Sequence, residues 1–224
     1  AYEIKECDWS SDVCSSDLDP HLLVEGCLVA SFAMKAHACY IYVRGEFIRE
    51  RERLQAAVDE AYAAKLIGKN NVHGWDFDLY VHHGAGAYIC GEETSMLESL
   101  EGKRGEVRVR PPLPAIEGLF GRPTIVNNVM SLASVPIVLD KGAAFYRDFG
   151  MGRSRGTLPF QLAGNIRHGG LVEKAFGVTL RELLYDFGGG SASGRPIRAV
   201  QVGGPLGAYV PESQFDTPLD YEAY

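Results

Sequence analysis

Trp75-Asp-Phe-Asp-Leu-Tyr-Val81 alternates apolar and polar residues, and after His82-His83 the chain runs Gly84-Ala-Gly-Ala-Tyr88-Ile-Cys90-Gly91-Glu92-Glu93-Thr94. The alternation reads as a strand, the glycines as a tight loop, and the two acids as the start of a short helix to Leu100. Upstream, Asp19-Pro20 is a helix opening, and an apolar stretch to Ala36 continues it. Ala38–Val43 is rich in β-branched and aromatic residues and reads as a buried strand. Phe47 to Ile67 is helical, with Leu54, Ala57, Val58, Ala61 and Leu66 on one face and Gly68 closing it. This helix–strand–helix–strand order, with a glycine loop after the second strand, predicts an α/β layer with its ligand at the strands' carboxyl ends.

Downstream, Gly102 to Thr124 is proline- and glycine-rich and reads as an ordered irregular loop, followed by helices at Asn127–Leu139 and Ala143–Phe149. Gly150–Gly156 reads as a linker. Beyond it the pattern is strand (158–163), strand (170–173), helix (179–187) and strand (197–202), a compact α+β unit. The expected domains are therefore 19–150 and 157–224.

The 224 residues carry a net charge of −7, and no basic face for nucleic acid is apparent. The most apolar stretch, Leu22–Ala36, contains Glu25 and Lys35 and falls short of the roughly 18 residues a membrane helix needs. Cys7, Cys14, Cys27, Cys39 and Cys90 form no Cys-x-x-Cys pair, which points to reduced thiols in a cytoplasmic protein. Residues 1–18 show neither helical nor strand periodicity and repeat Ser-Ser-Asp. They read as a non-native tail resembling translated adapter DNA, or as a disordered acidic tail.

The loop chemistry excludes two familiar motifs. Residue 89 is isoleucine where a Rossmann fingerprint has its third glycine. Gly86-x-x-x-x-Gly91 has phosphate-loop spacing, but Glu92-Glu93 replace the required lysine and hydroxyl residue. Two acids at a helix start accept hydrogen bonds from amide or hydroxyl donors; they also suit an ordinary strand-to-helix turn. Asn127-Asn128 present paired amides to a heteroaromatic ring or cap the next helix. Lys103, Arg104, Arg108 and Arg110 are either a phosphate-neutralising set or a solvated basic face. His82-His83 have no second ligand group in view.

Taken together, Gly84–Thr94, Leu100-Glu-Gly-Lys-Arg-Gly105, Arg110-Pro-Pro-Leu-Pro-Ala115 and Pro123-Thr-Ile-Val-Asn-Asn-Val129 resemble the NADH-binding flavoprotein subunit of respiratory complex I. Relatives of that subunit serve NAD-linked hydrogenases and formate dehydrogenases, and Asn127–Gly164 looks most like the β subunit of molybdenum formate dehydrogenases. The resemblance implies a Rossmann-like FMN domain, incomplete here, followed by a small β-grasp module. It places Tyr88, Gly91, Glu92, Val126, Asn127 and Asn128 around FMN, with Glu93 and Arg110 toward NAD(H). Leu113 stands where several members have a stacking aromatic. The implied activity is hydride transfer between NAD(H) and FMN, with electrons passed to iron–sulfur clusters. The four-iron cluster belongs to the full-length parent only, and the implied partners are iron–sulfur and molybdenum subunits. The expected assembly is NAD-dependent formate dehydrogenase. The alternatives are complex I or a non-catalytic β-grasp binding or scaffold module, and the fragment itself is expected to be inactive.

Overall fold

The computed structural model describes residues 2–6 and 19–223, which divide into two compact units, 1–140 and 141–224. The first unit is built on four parallel strands: β1 (Tyr2–Glu6), β2 (Ala38–Val43), β3 (Asp78–His83) and β4 (Thr124–Asn128). Their order across the sheet is β3-β2-β1-β4. Val43 lies opposite His83, and Glu6 opposite Asn128, so the carboxyl ends of all four strands share one edge.

Helices cover both faces of this sheet because β2 is apolar on both. Cys39, Ile41 and Val43 join one core with Leu23, Val24 and Cys27 of α1 (Pro20–Met34) and with Leu54, Ala57, Val58 and Ala61 of α2 (Ile48–Ala63). Tyr42, with Tyr40 packed alongside, joins a second core with Met96 and Leu97 of α3 (Glu93–Leu100). As expected, Asp19 caps α1, accepting from the Leu22 amide at 3.1 Å, with proline in the first turn. The α2 helix ends at Ala63, short of Gly68.

Other boundaries also differ from those the sequence predicts. Tyr2–Glu6 is a strand, not part of a tail: it fills the sheet between β2 and β4, pairing with each along its length. Neighbours on both sides supply its backbone hydrogen bonds, so a five-residue strand forms without a long periodic pattern. Residues 7–18 of the expected tail lie outside the described residues. The β3 strand starts at Asp78 and runs to His83, because Phe77 pairs its backbone with Gly68 instead of with β2. Asn127 and Asn128 end β4, and the helix that follows, α4 (Val129–Lys141), begins after them. The break between units comes within residues 140–141, ahead of the expected linker.

In the second unit, α5 (Ala143–Arg147) precedes a hairpin where the linker was expected: β5 (Gly150–Met151) and β6 (Ser154–Arg155). Next come the antiparallel pair β7 (Thr157–Leu162) and β8 (Gly170–Ala175), and α6 (Leu180–Glu182), which opens on a Thr179–Glu182 capping box and continues as a π turn to Phe187. A second antiparallel pair, β9 (Ala199–Val202) and β10 (Ala208–Pro211), includes a strand that the sequence pattern did not reveal. The strands pair as separate two-stranded sheets. Leu180, Leu183, Leu184, Val210, Phe215 and Leu219 form the core of this unit.

Helices α1 and α4 approach closely at Gly26. A Cβ there would stand 2.0 Å from the Leu132 carbonyl oxygen, an atom of rigid backbone. Gly26→Ala must push the helices apart, and is expected to lower the unfolding free energy by about 2 kcal/mol. Urea denaturation should show an earlier midpoint with an unchanged slope.

Candidate functional site

At the carboxyl edge of the sheet, the segment after β2 and the glycine loop after β3 run against each other. A Cβ on Gly45 would meet the Gly86 amide nitrogen at 2.5 Å and the Gly84 carbonyl oxygen at 2.7 Å. The Gly84 amide donates to Val43 O at 2.7 Å, and His83 Nε2 donates to Gly45 O at 3.1 Å. Gly86 has φ +85°, a conformation glycine adopts without steric cost. These approaches leave a cleft lined by Tyr42, Arg44, Glu46, Tyr88, Cys90 and Gly91.

Tyr88–Gly91 form one turn of 3₁₀ helix, which leaves Tyr88 69% exposed and Cys90 buried. Gly45 and Gly84 are explained by their neighbours within the chain, but Gly91 is not. A Cβ there would meet nothing within 4 Å, so its backbone is open to a flat ligand.

Glu92 is the N-cap of α3. Its Oε2 accepts from the amides of Thr94 and Ser95, each at 2.9 Å, and from Thr94 Oγ1 at 2.5 Å. Its Oε1 accepts from Arg110 Nη2 at 2.5 Å, and the same nitrogen lies 2.7 Å from Glu93 Oε1. Burial opposes ionisation of Glu92, but the hydrogen bonds from Thr94 and Ser95 and the charge of Arg110 outweigh it, holding its pKa below the ordinary carboxylate value. The two acids are therefore not an exposed pair of charges. One is committed to the helix, and one guanidinium spans both.

The basic residues do not act as one set: Lys103 and Arg104 are exposed, as on a solvated face, whereas Arg108 and Arg110 are paired with carboxylates. Arg108 is a structural clamp on the proline-rich loop: its Nε donates to Glu98 at 2.5 Å, Nη2 to Glu101 at 2.7 Å and Nη1 to Gly118 O at 3.0 Å. Lys103 pairs with Glu101 at 2.7 Å, and Arg104 lies 3.5 Å from Glu106. Glu101 also accepts from the Phe120 amide. Burial raises the cost of its charge, but Lys103, Arg108 and that amide hold its pKa down.

On the other side of the edge, Val126 packs against the core that contains Tyr42 and Leu97. Asn128 Oδ1 accepts from the Met130 amide at 2.8 Å, so it caps α4, while the half-buried Asn127 sits beside it in β4. The fold thus brings Tyr88, Gly91, Glu92, Glu93 and Arg110 together, and sets Val126, Asn127 and Asn128 at the end of a strand on the same edge. Sequence pattern did not single out Tyr42, Arg44 and Glu46. The signal was their position at and just after the carboxyl end of a recognised parallel strand. Tyr42 shares a 3.0 Å hydrogen bond with Ser99 of α3 and stacks on His82, whose pKa burial and His83 push down. Among the described residues, no group of three or more His, Cys, Asp or Glu gathers as a metal site.

Because the folded-state pKa of Glu92 lies below its ordinary value of 4.5, its stabilisation is complete above that pH and is lost as pH falls through the folded value. Glu92→Ala is expected to cost about 1 kcal/mol at neutral pH, the usual worth of an N-cap. The difference from wild type should shrink steadily as urea melts are repeated below pH 4.5.

The chain resembles known proteins along most of its length. The chain is 53% identical over 206 residues to an NADH-quinone oxidoreductase subunit of Rhizobium meliloti (strain 1021), covering 91% of this chain and 48% of that protein. It is 49% identical over 207 residues to the corresponding NADH-quinone oxidoreductase subunit of Rhodobacter capsulatus, with the same coverage. A crystal structure of an NAD+-reducing NiFe hydrogenase in the H2-reduced state superposes with a TM-score of 0.86 at 33% identity, covering 99% of this chain and 38% of that one. The chain spans about half the length of the curated relatives it matches. Residues 5–137 match the family described as the Nuo51 FMN-binding domain, and the chain belongs to that family.

Proposed function

We propose that the full-length protein is the flavoprotein subunit of an NADH-quinone oxidoreductase, transferring hydride between NADH and FMN and passing electrons on to iron–sulfur clusters. The carrying observation is the cleft at the carboxyl edge of the parallel sheet, lined by the open backbone of Gly91 and the exposed ring of Tyr88, with the Arg110–Glu92–Glu93 cluster at the helix start that follows directly in the chain. Such an edge is the ligand-binding side of an open α/β sheet. The names of the similar proteins favour this reading over formate dehydrogenase, the assembly that the sequence resemblance suggests first. The molybdenum partner loses support along with that reading, and the partners become the other subunits of a multisubunit NADH oxidoreductase.

The residues present fit the flavin. Gly91 leaves space where any side chain would intrude, and Tyr88, Val126, Asn127 and Asn128 would complete its surroundings. Bound FMN supplies the exchange between two-electron and one-electron chemistry. The chain's own residues bind and orient. Glu93 keeps one carboxylate oxygen outside the Arg110 pair, suited to a hydroxyl or amide of the nicotinamide nucleotide. Arg110 holds that carboxylate in place. Glu92 is a support for both, since its Oε2 is taken up by the helix amides.

Among the described residues, no helix is long and apolar enough to cross a membrane. The cytoplasmic placement draws its support from the cysteine spacing in the sequence, which contains no Cys-x-x-Cys pair. Two antiparallel strand pairs flanking one helix in residues 157–224 support reading that unit as a β-grasp module, and we assign the four-iron cluster to the part of the parent that this chain does not span.

Glu93→Ala in the full-length protein should raise KM for NADH roughly tenfold, as one lost charged hydrogen bond would, with flavin content and kcat unchanged. Steady-state diaphorase kinetics alongside flavin absorbance tests this, and unchanged kinetics would remove Glu93 from the site. Elemental analysis of the purified assembly separates the two enzymes, because molybdenum in stoichiometric amount would restore formate dehydrogenase.

A further inference from the structure

Thr94 is 1% exposed, and its hydroxyl works in two directions. Oγ1 donates to Glu92 Oε2 at 2.5 Å and accepts from the Arg108 amide at 2.9 Å. A hydroxyl has one proton and two lone pairs, so both bonds are made at once without competition. One bond reaches the acidic turn, and the other reaches the backbone of the proline-rich loop two residues before Arg110.

That loop carries little regular structure to hold it. Between α3 and β4 the described elements are limited to a 3₁₀ turn at Leu119–Gly121. Its anchors lie on α3. The Arg108 side chain reaches Glu98 near the end of α3 and Glu101 just past it, whereas the Arg108 backbone is held by Thr94 at the helix start. Two residues of chain span at most about 7 Å, so a shift at the Arg108 amide passes directly to Arg110.

We propose that Thr94 is a positioning residue that locks the acidic turn to the basic loop, setting Arg110 against Glu92 and Glu93 in the geometry that nicotinamide nucleotide binding requires. The proposal rests on the NADH reading of this site. Valine has the shape of threonine but can neither donate nor accept, so Thr94→Val breaks both bonds at nearly constant volume. Serine keeps both.

The test is calorimetric titration of NAD+ into the full-length protein in the absence of reductant, for wild type, Thr94→Val, Thr94→Ser, Arg110→Met and the Thr94→Val/Arg110→Met double variant. Thr94→Val is expected to weaken binding roughly tenfold, the scale of one hydrogen bond, and Thr94→Ser to stay within about twofold of wild type. In the Arg110→Met background, Thr94→Val should add little, because its effect runs through Arg110. In turnover the loss should appear in KM for NADH and leave kcat unchanged. If valine does not fold, Thr94→Ala carries the same test with a residue that favours helix. Two results overturn the proposal: wild-type affinity in Thr94→Val, or the same loss with and without Arg110. Absence of NAD+ binding by wild type would overturn the NADH reading as well.

Discussion

Everything in the first unit hangs on the two-sided burial of β2. Cys39, Ile41 and Val43 face the α1 and α2 core, and Tyr42 faces α3. A strand apolar on both faces has no stable place except inside a sheet covered by helices on each side. Once it is there, its carboxyl end must open at the edge where the chain turns back. Gly45 then lets the two neighbouring loops approach closely, and Gly84 leaves room for the Tyr42 ring. The cleft is a consequence of that packing.

The same packing decides the electrostatics. Two adjacent glutamates suggest a doubly negative surface beside the ligand. In the folded chain one guanidinium bridges them, leaving a single net negative charge among the three groups. Glu92 is further bound by the helix start, where amide groups and the helix dipole both favour the anion. Glu93 keeps one carboxylate oxygen outside these contacts, and the electrostatic weight of the pair is less than a count of acids implies. In the same way Arg108, which reads as a candidate for phosphate, commits its guanidinium to two carboxylates and a carbonyl. This ion-pair network gives the irregular loop its order.

Local pattern was enough for α1, α2, β2 and the short helix after the glycines, because capping residues and periodicity act within a few positions. It failed for Tyr2–Glu6, whose strand exists because the sheet has a gap between β2 and β4. It failed also at Asn127-Asn128, where two residues that look like a helix opening finish a strand, and one of them then caps the helix. The cleft residues Tyr42, Arg44 and Glu46 carried no motif and became visible only as the continuation of a buried strand.

Motif identity and spacing are properties of the chain, so the family, the α/β class of the first unit and the set of residues around the glycine loop were all legible before folding is considered. Which of those residues are free to act is a matter of the folded state alone. Arg110 and Glu92 lie 18 positions apart, and Arg108 and Glu98 lie 10 apart. Whether a charge faces a ligand or is neutralised by a partner depends on distances of a few ångströms, which exist only after the loop has closed on the helix.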